Sequence, residues 1–177
     1  VSTDFEVKSS DRVLIAGAGT GAEGFYLYKK YGCSLSLVEP SEEARKILTL
    51  KKELNSVENV GVYGDYLESL HFEDNSFEKI VCYTVLEHVQ NVSKTLQELI
   101  RVLKPGGKIL LWLPNYAYPE EPHYKTKTFP PAYFSYGAKL HLKLKKRYTP
   151  FFESLNFLSQ KSVERVFQKL SIAFFEV

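Results

Sequence analysis

A chain of 177 residues, 44% apolar and 25% charged, can bury one full hydrophobic core and reads as one globular domain spanning 1–177. A formal charge of +2 and a pI near 8.4 exclude the strongly basic balance of a dedicated nucleic-acid binder, and no apolar run approaches the ~20 residues that cross a bilayer. Cys33 and Cys82 stand in apolar, strand-like runs and not at metal or disulfide spacing, which fits a reduced cytoplasmic setting; the start has no signal-peptide layout, and Val1 in place of Met reads as trimmed.

In chain order, residues 12–16 read as a strand, 21–30 as a helix, 34–38 as a second strand and 41–54 as a helix with Ser41 at its N-cap. Strands follow at 60–63 and 79–83. A third helix is predicted over 93–103, capped by Ser93, with Leu96, Leu99, Ile100 and Leu103 at helical spacing. Pro105-Gly106-Gly107 then stops it before a fifth strand at 108–113. From Pro114 to Pro150 the rhythm breaks into a Pro- and Tyr-rich stretch without periodicity, after which a helix (159–170) and a strand (171–177) resume. Short, continuous apolar strands alternating with helices point to an α/β fold. It is expected to be a doubly wound, Rossmann-like, mostly parallel sheet with helices on both faces and an irregular, lid-like insertion over 114–158 after strand five.

The first strand runs into Gly17-Ala18-Gly19-Thr20-Gly21, where glycines let the backbone turn tightly and approach a cofactor without Cβ collisions. Glu39 stands twenty residues beyond Gly19 at the end of strand two, where a carboxylate accepts both hydroxyls of a ribose. Gly17, Gly19 and Ala22 also satisfy the dinucleotide fingerprint G-x-G-x-x-G/A, so the loop alone leaves NAD(P) open as the cofactor of an oxidoreductase. A pyrophosphate needs a positive helix N-terminus exposed to it, whereas a cofactor without phosphate does not.

Three downstream segments bear on that choice. Gly64-Asp65 follows strand three and leads through Leu67, Leu70 and Phe72 to Asp74-Asn75-Ser76-Phe77; the second segment is Ile80 to Val89, containing Leu86-Glu87-His88; the third is Leu99 to Gly107, ending Lys104-Pro105-Gly106-Gly107. With the glycine loop, in this order and spacing, they resemble the class I S-adenosylmethionine-dependent methyltransferases, in the small-molecule branch with a Leu-Glu-His signature, over roughly residues 11–115. The resemblance implies S-adenosyl-L-methionine as cofactor and S-adenosyl-L-homocysteine as product. It implies backbone clearance at Gly17, Ala18, Gly19 and Gly21, ribose binding at Glu39 with Pro40, adenine contact at Asp65 and Tyr66, and a border to the methionine part at Tyr83 and Thr84. Two positions depart from the family pattern. Glu78 stands where an Asp is usual, and Thr84 replaces an acidic residue that some quinone-type relatives use, with the Glu-His pair, to hold magnesium. A neutral hydroxyl there predicts no tight metal site.

Methyl transfer from a sulfonium needs mainly alignment of the acceptor, with a general base where the acceptor carries a proton. His88 and His123 are the catalytic candidates, with His141 reachable by type and His71 a weaker choice. Glu87 and His88 read equally well as a cap of the next helix. Tyr116, Tyr118, Tyr124, Phe129, Tyr133, Phe134 and Tyr136 are expected to pack or to wall an apolar acceptor site. From Lys125 to Tyr148 there are seven Lys or Arg residues and no Asp or Glu. That run suits a solvated helix face, or an anionic or lipid-like small-molecule acceptor. The absence of a recognisable RNA-binding module argues against nucleic acid, so a non-catalytic cofactor-binding module using 125–147 for an anionic partner is the remaining alternative. The resemblance also expects one further antiparallel strand beyond 171–177, and none follows.

Overall fold

Aliphatic runs too short for helices pair into one parallel sheet, and the chain between them forms the covering helices. The structure, a computed structural model, describes residues 5–114, 120–121, 126–127, 134–149 and 154–169. It divides into two units, Val1–Val85 with Val89–Trp112, and Leu86–His88 with Leu113–Val177.

The first unit runs β1 (Arg12–Ala16), α1 (Ala22–Tyr31), β2 (Ser34–Val38), α2 (Glu42–Leu54), β3 (Val60–Tyr63), β4 (Phe77–Tyr83), α3 (Val92–Val102) and β5 (Leu103–Trp112). Its five strands lie in the order β3-β2-β1-β4-β5, each neighbouring pair parallel. Val13 to Ala16 of β1 are all buried, the mark of a strand covered on both faces. Val13, Ile15, Leu35, Leu37 and Val81 share one core with Leu48 of α2, against which Phe25, Leu27 and Tyr28 of α1 pack. Leu14 alternates to the opposite face. On α3 the buried side is Thr95, Leu96, Leu99 and Val102, one face of a 3.6-residue period, and the helix packs on β5.

Two boundaries differ from expectation. Ser41 caps α2 as anticipated, its hydroxyl accepting from the Ala44 amide at 3.3 Å. Asn91, not Ser93, caps α3: its side-chain oxygen accepts from the Lys94 amide at 3.0 Å. Glu68 fixes the entry, because its Oε1 takes the amides of Gln90 at 2.7 Å and Asn91 at 3.1 Å. The fifth strand begins at Leu103, directly after the helix, so Pro105-Gly106-Gly107 lies inside it as a bulge: Phe77 sits opposite Leu103, but Lys79 sits opposite Lys108. Glu78 faces this irregularity, accepting from the Arg12 amide at 2.8 Å and pairing with Lys104. The longer carboxylate thereby ties the starts of β1 and β5 together.

Arg101 pins the loop between β3 and β4 to α3. Its guanidinium donates to Glu98 through Nε and Nη2, each at 2.8 Å, to the carbonyls of Phe72 at 2.8 Å and Leu70 at 3.0 Å, and to Asp74 at 2.7 Å. The Arg101 hydrogen bond outweighs burial and, with the Leu70 amide, holds the Glu98 carboxyl below its usual pKa.

In the second unit Glu120–Glu121 (β6) and Thr126–Lys127 (β7) form a two-stranded antiparallel ribbon, followed by α4 (Phe134–Leu144) and α5 (Gln160–Lys169). α4 lies within the stretch expected to be irregular. Leu140, Leu142 and Leu144 alternate like a strand, which conceals the helix; only Leu142 is buried, against Tyr148 and Phe157. Lys139 and Lys143 lie over the Tyr148 ring at 5.7 and 5.1 Å, a local packing role for two charges of the basic run. α5 matches the predicted helix, and the strand predicted over 171–177 lies outside the described residues. Among the described residues no helix is long and apolar enough to cross a membrane.

Two outcomes are expected in urea unfolding. Asn91→Ala costs about 1 kcal/mol, the worth of an N-cap, while Ser93→Ala stays within about 0.5 kcal/mol. Because the folded pKa of Glu98 is depressed, its contribution is complete above the unfolded value near ~4.3 and is lost as pH falls through the folded value. Glu98→Gln is therefore less stable than wild type at pH 7, and the difference shrinks at pH 3. A constant difference would show that the carboxylate charge is not the source.

Candidate functional site

β1 has β2 on one side and β4 on the other, so the chain reverses direction across the sheet at β1. In open α/β sheets the connections after the strands diverge at such a point and leave a crevice outside the carboxyl ends. Gly17 to Gly21 follow β1, Glu39 and Pro40 follow β2, Asp65 and Tyr66 follow β3, and Tyr83 with Thr84 close β4. All ten residues expected to contact a cofactor are thus at carboxyl ends, within the first unit.

The loop after β1 turns through Gly17 at φ +71°, Gly19 at +51° and Gly21 at +90°. A Cβ on Gly17 would stand 2.4 Å from Cγ2 of Val85, whereas one on Gly19 would meet nothing within 4 Å. The two glycines serve different ends: Gly17 permits close approach of the β4 segment, and Gly19 leaves one side of the loop open. Ala18 points inward, 2% exposed, with its amide on the Val38 carbonyl at 2.8 Å.

Glu39 closes the loop. Its Oε2 accepts from the Gly19 amide at 2.8 Å, its Oε1 from the Ser41 amide at 2.9 Å, and its own amide donates to the Tyr63 carbonyl at 3.0 Å. Arg45 Nη1 takes the carbonyls of Glu39 at 2.8 Å and Pro40 at 2.6 Å, and Lys51 Nζ reaches the Thr20 carbonyl at 2.6 Å. These two cations of α2 carry no motif signal in the sequence, because they hold the backbone of the loops and belong to no ligand-binding pattern. Each carboxylate oxygen has two lone pairs, so both bonds leave Glu39 able to accept further hydroxyl donors.

Asp65 is half-buried and pairs through Oδ2 with Nδ1 of His71, whose amide approaches the same oxygen at 3.4 Å. His71, a weak base candidate on sequence, is thereby committed to Asp65. Tyr66 is exposed. Tyr83 and Trp112, opposite each other in register, stack with centroids 5.8 Å apart and planes 10° from parallel, both exposed. Trp112 was not singled out in sequence, although a lone tryptophan ending a strand is a signal. Thr84 sits at φ +52°, its amide on the Trp112 carbonyl and its hydroxyl on the Tyr83 carbonyl, each at 2.8 Å.

His88 belongs to the second unit. Glu87 is fully buried, with Oε1 at 3.9 Å from His88 Nε2, an ion-pair distance and not a hydrogen bond. Asn156 clamps this turn, its amide donating to the Glu87 carbonyl at 2.8 Å and its Nδ2 to the Leu86 carbonyl at 3.0 Å. The alternative role of the pair, as cap of the next helix, falls instead to Asn91. His141 is an exposed residue of α4. His123 lies outside the described residues, as do Tyr116, Tyr118, Tyr124, Phe129 and Tyr133, while the side chains of Phe134 and Tyr136 are not described.

Comparison with known proteins adds a family. A model described as a methyltransferase domain matches residues 14–111, more than half of the chain. The chain is 38% identical over 104 residues to the thiol S-methyltransferase TMT1B of Rattus norvegicus, across 56% of this chain and 41% of that protein. It is 30% identical over 175 residues to the demethylmenaquinone methyltransferase of Staphylococcus aureus, across 96% of this chain and 70% of that protein. The crystal structure of the Bacillus subtilis YcgJ protein shares the fold, with a TM-score of 0.75 at 24% identity over 97% of this chain and 66% of that one. The chain thus spans less than half the length of the rat enzyme.

Both Gly17→Ala and Gly19→Ala force a side chain into the left-handed region, which costs roughly 1–2 kcal/mol. Only Gly17→Ala also drives a Cβ into Val85. Thermal denaturation followed by circular dichroism is expected to show the lower melting temperature for Gly17→Ala; equal values would contradict the close approach.

Proposed function

This chain belongs to the class I S-adenosylmethionine-dependent methyltransferases, and from that premise we propose that it transfers a methyl group to a small-molecule acceptor by in-line displacement. The observation that carries the reading is that the Gly17–Gly21 loop, Glu39, Asp65 and the Tyr83–Thr84 strand end all lie at the carboxyl edge of one sheet, with the loop at its reversal. Glu39 takes the ribose hydroxyls, Asp65 and Tyr66 contact adenine, and Tyr83 with Thr84 border the methionine part. Bound S-adenosyl-L-methionine supplies a methyl group on a sulfonium, a leaving group that needs no protonation.

A pyrophosphate is the poorer fit. The Gly19 amide that would greet it is already donated to Glu39, and Glu23 adds a negative charge in the first turn of α1. That supports S-adenosylmethionine over NAD(P).

The protein's part in catalysis is alignment and, for acceptors bearing a proton, its removal. We assign that proton to His88, with His123 as the second candidate. Glu87 stands beside the ring and stabilises the imidazolium that results. Residues 114–158 form the acceptor and lid segment of a single domain. The named acceptors of the relatives, a thiol and a demethylated menaquinone, support a small molecule, and Tyr83 with Trp112 supports an apolar one. Two buried thiols, Cys33 and Cys82, support a cytoplasmic setting.

Calorimetry is expected to show one site for S-adenosyl-L-homocysteine and none for NADH; a folded sample that binds NADH alone overturns the reading. His88→Ala is expected to lower kcat on thiol or phenol acceptors about 10²-fold or more, with product affinity within twofold of wild type. An unchanged kcat would move the base elsewhere.

A further inference from the structure

Beyond those contacts, we propose that His71 is a positioning residue for adenine recognition: its Nδ1 proton holds Oδ2 of Asp65 and so presents Oδ1 to the exocyclic amine of the base. This rests on the reading of Asp65 as the adenine contact and adds a residue that the reading does not contain.

The geometry separates the two oxygens of one carboxylate. Both bonds from His71, ring and backbone, fall on Oδ2, and among the described residues no donor reaches Oδ1. An ionised carboxylate is an acceptor only, and the adenine amine is a donor, so the oxygen left over matches the group it would meet. A carboxylate free to rotate would lose torsional freedom on binding; one held by a ring has already lost it.

His71 can hold because it is itself held from both sides. Its neighbours in sequence are tied to α3: the Leu70 amide donates to Glu98 Oε2 at 3.0 Å, and the carbonyls of Leu70 and Phe72 accept from Arg101 at 3.0 and 2.8 Å. The ring packs in a mutual triad with Tyr63 and Phe72, with centroids 4.9 and 4.1 Å away, and those two rings are 5.0 Å from each other. Phe72 in turn meets the fully buried Phe77 edge-on at 4.9 Å, so the row is anchored in the core. Tyr63 ends β3, two residues before Asp65. The end of that strand, the loop and α3 therefore converge on a single imidazole.

Two variants divide the possible roles of this ring. His71→Phe keeps the aromatic stack and removes the donor; His71→Asn removes the stack and keeps a donor near the place of Nδ1. His71 is half exposed, so neither is expected to unfold the protein. Calorimetry is run with S-adenosyl-L-homocysteine and with its hypoxanthine counterpart, in which a carbonyl replaces the amine. Wild type is expected to prefer the adenine compound. His71→Phe weakens its binding about tenfold and leaves the hypoxanthine compound within twofold, while His71→Asn retains most of the adenine preference. Equal losses for both compounds, full affinity in His71→Phe, or tighter binding there would each overturn the proposal. Asp65→Ala serves as the control for the underlying reading. If it leaves the adenine preference intact, Asp65 is not the adenine contact and both fall; if it abolishes the preference while His71→Phe does not, only the role of His71 falls.

Discussion

Glu39 holds the cradle together. Its carboxylate takes one amide from the loop after β1 and one from the start of α2, and its own amide is bound to the end of β3. Three neighbouring segments on the β1-β2-β3 side of the sheet are tied by one residue at the end of β2. The loop needs such a tie, because three of its glycines occupy left-handed backbone and glycine surrenders the most conformational freedom on ordering. Arg45 and Lys51 extend the tie from α2, binding carbonyls that the turn leaves without partners.

A second anchor serves the other side of the crevice. The Arg101–Glu98 pair gathers the backbone of residues 70 and 72, placing His71 beside Asp65 with little freedom to leave. Charge-assisted bonds to several acceptors at once are stronger and more directional than an isolated surface ion pair. The turn carrying Glu87 and His88 is held differently, by Asn156 within the second unit.

The exposed Tyr83 and Trp112 complete the edge. A stacked aromatic pair at adjacent strand ends offers flat apolar surface with few rotatable bonds, which costs little entropy to present to a ligand. Thr84 beside it adopts a left-handed backbone that non-glycine residues seldom take, and two hydrogen bonds hold it there. Strain of that kind persists only where the surroundings over-determine it.

Much of this was legible in the chain itself. Strand composition, the glycine loop and the distance to Glu39 are local signals, so β1 to β3, Ser41 as a cap and the placing of Gly17 to Gly21 and Glu39 followed from composition and spacing, while Asp65 was marked by the family resemblance. Asn91 displaced Ser93 as the cap of α3 because Glu68, more than twenty residues away, binds the amides that set where that helix begins. Pro105-Gly106-Gly107 became a bulge because β4 was there to pair on both sides of it. Alternating leucines hid α4, whose Leu142 is buried by Tyr148 and Phe157 from beyond the helix. The partnership of His71 with Asp65, the strap of Arg45 and the stacking of Trp112 on Tyr83 were likewise decided only in three dimensions. A side chain's periodicity records which face it occupies, but its partner is chosen by whatever another strand or helix brings within reach.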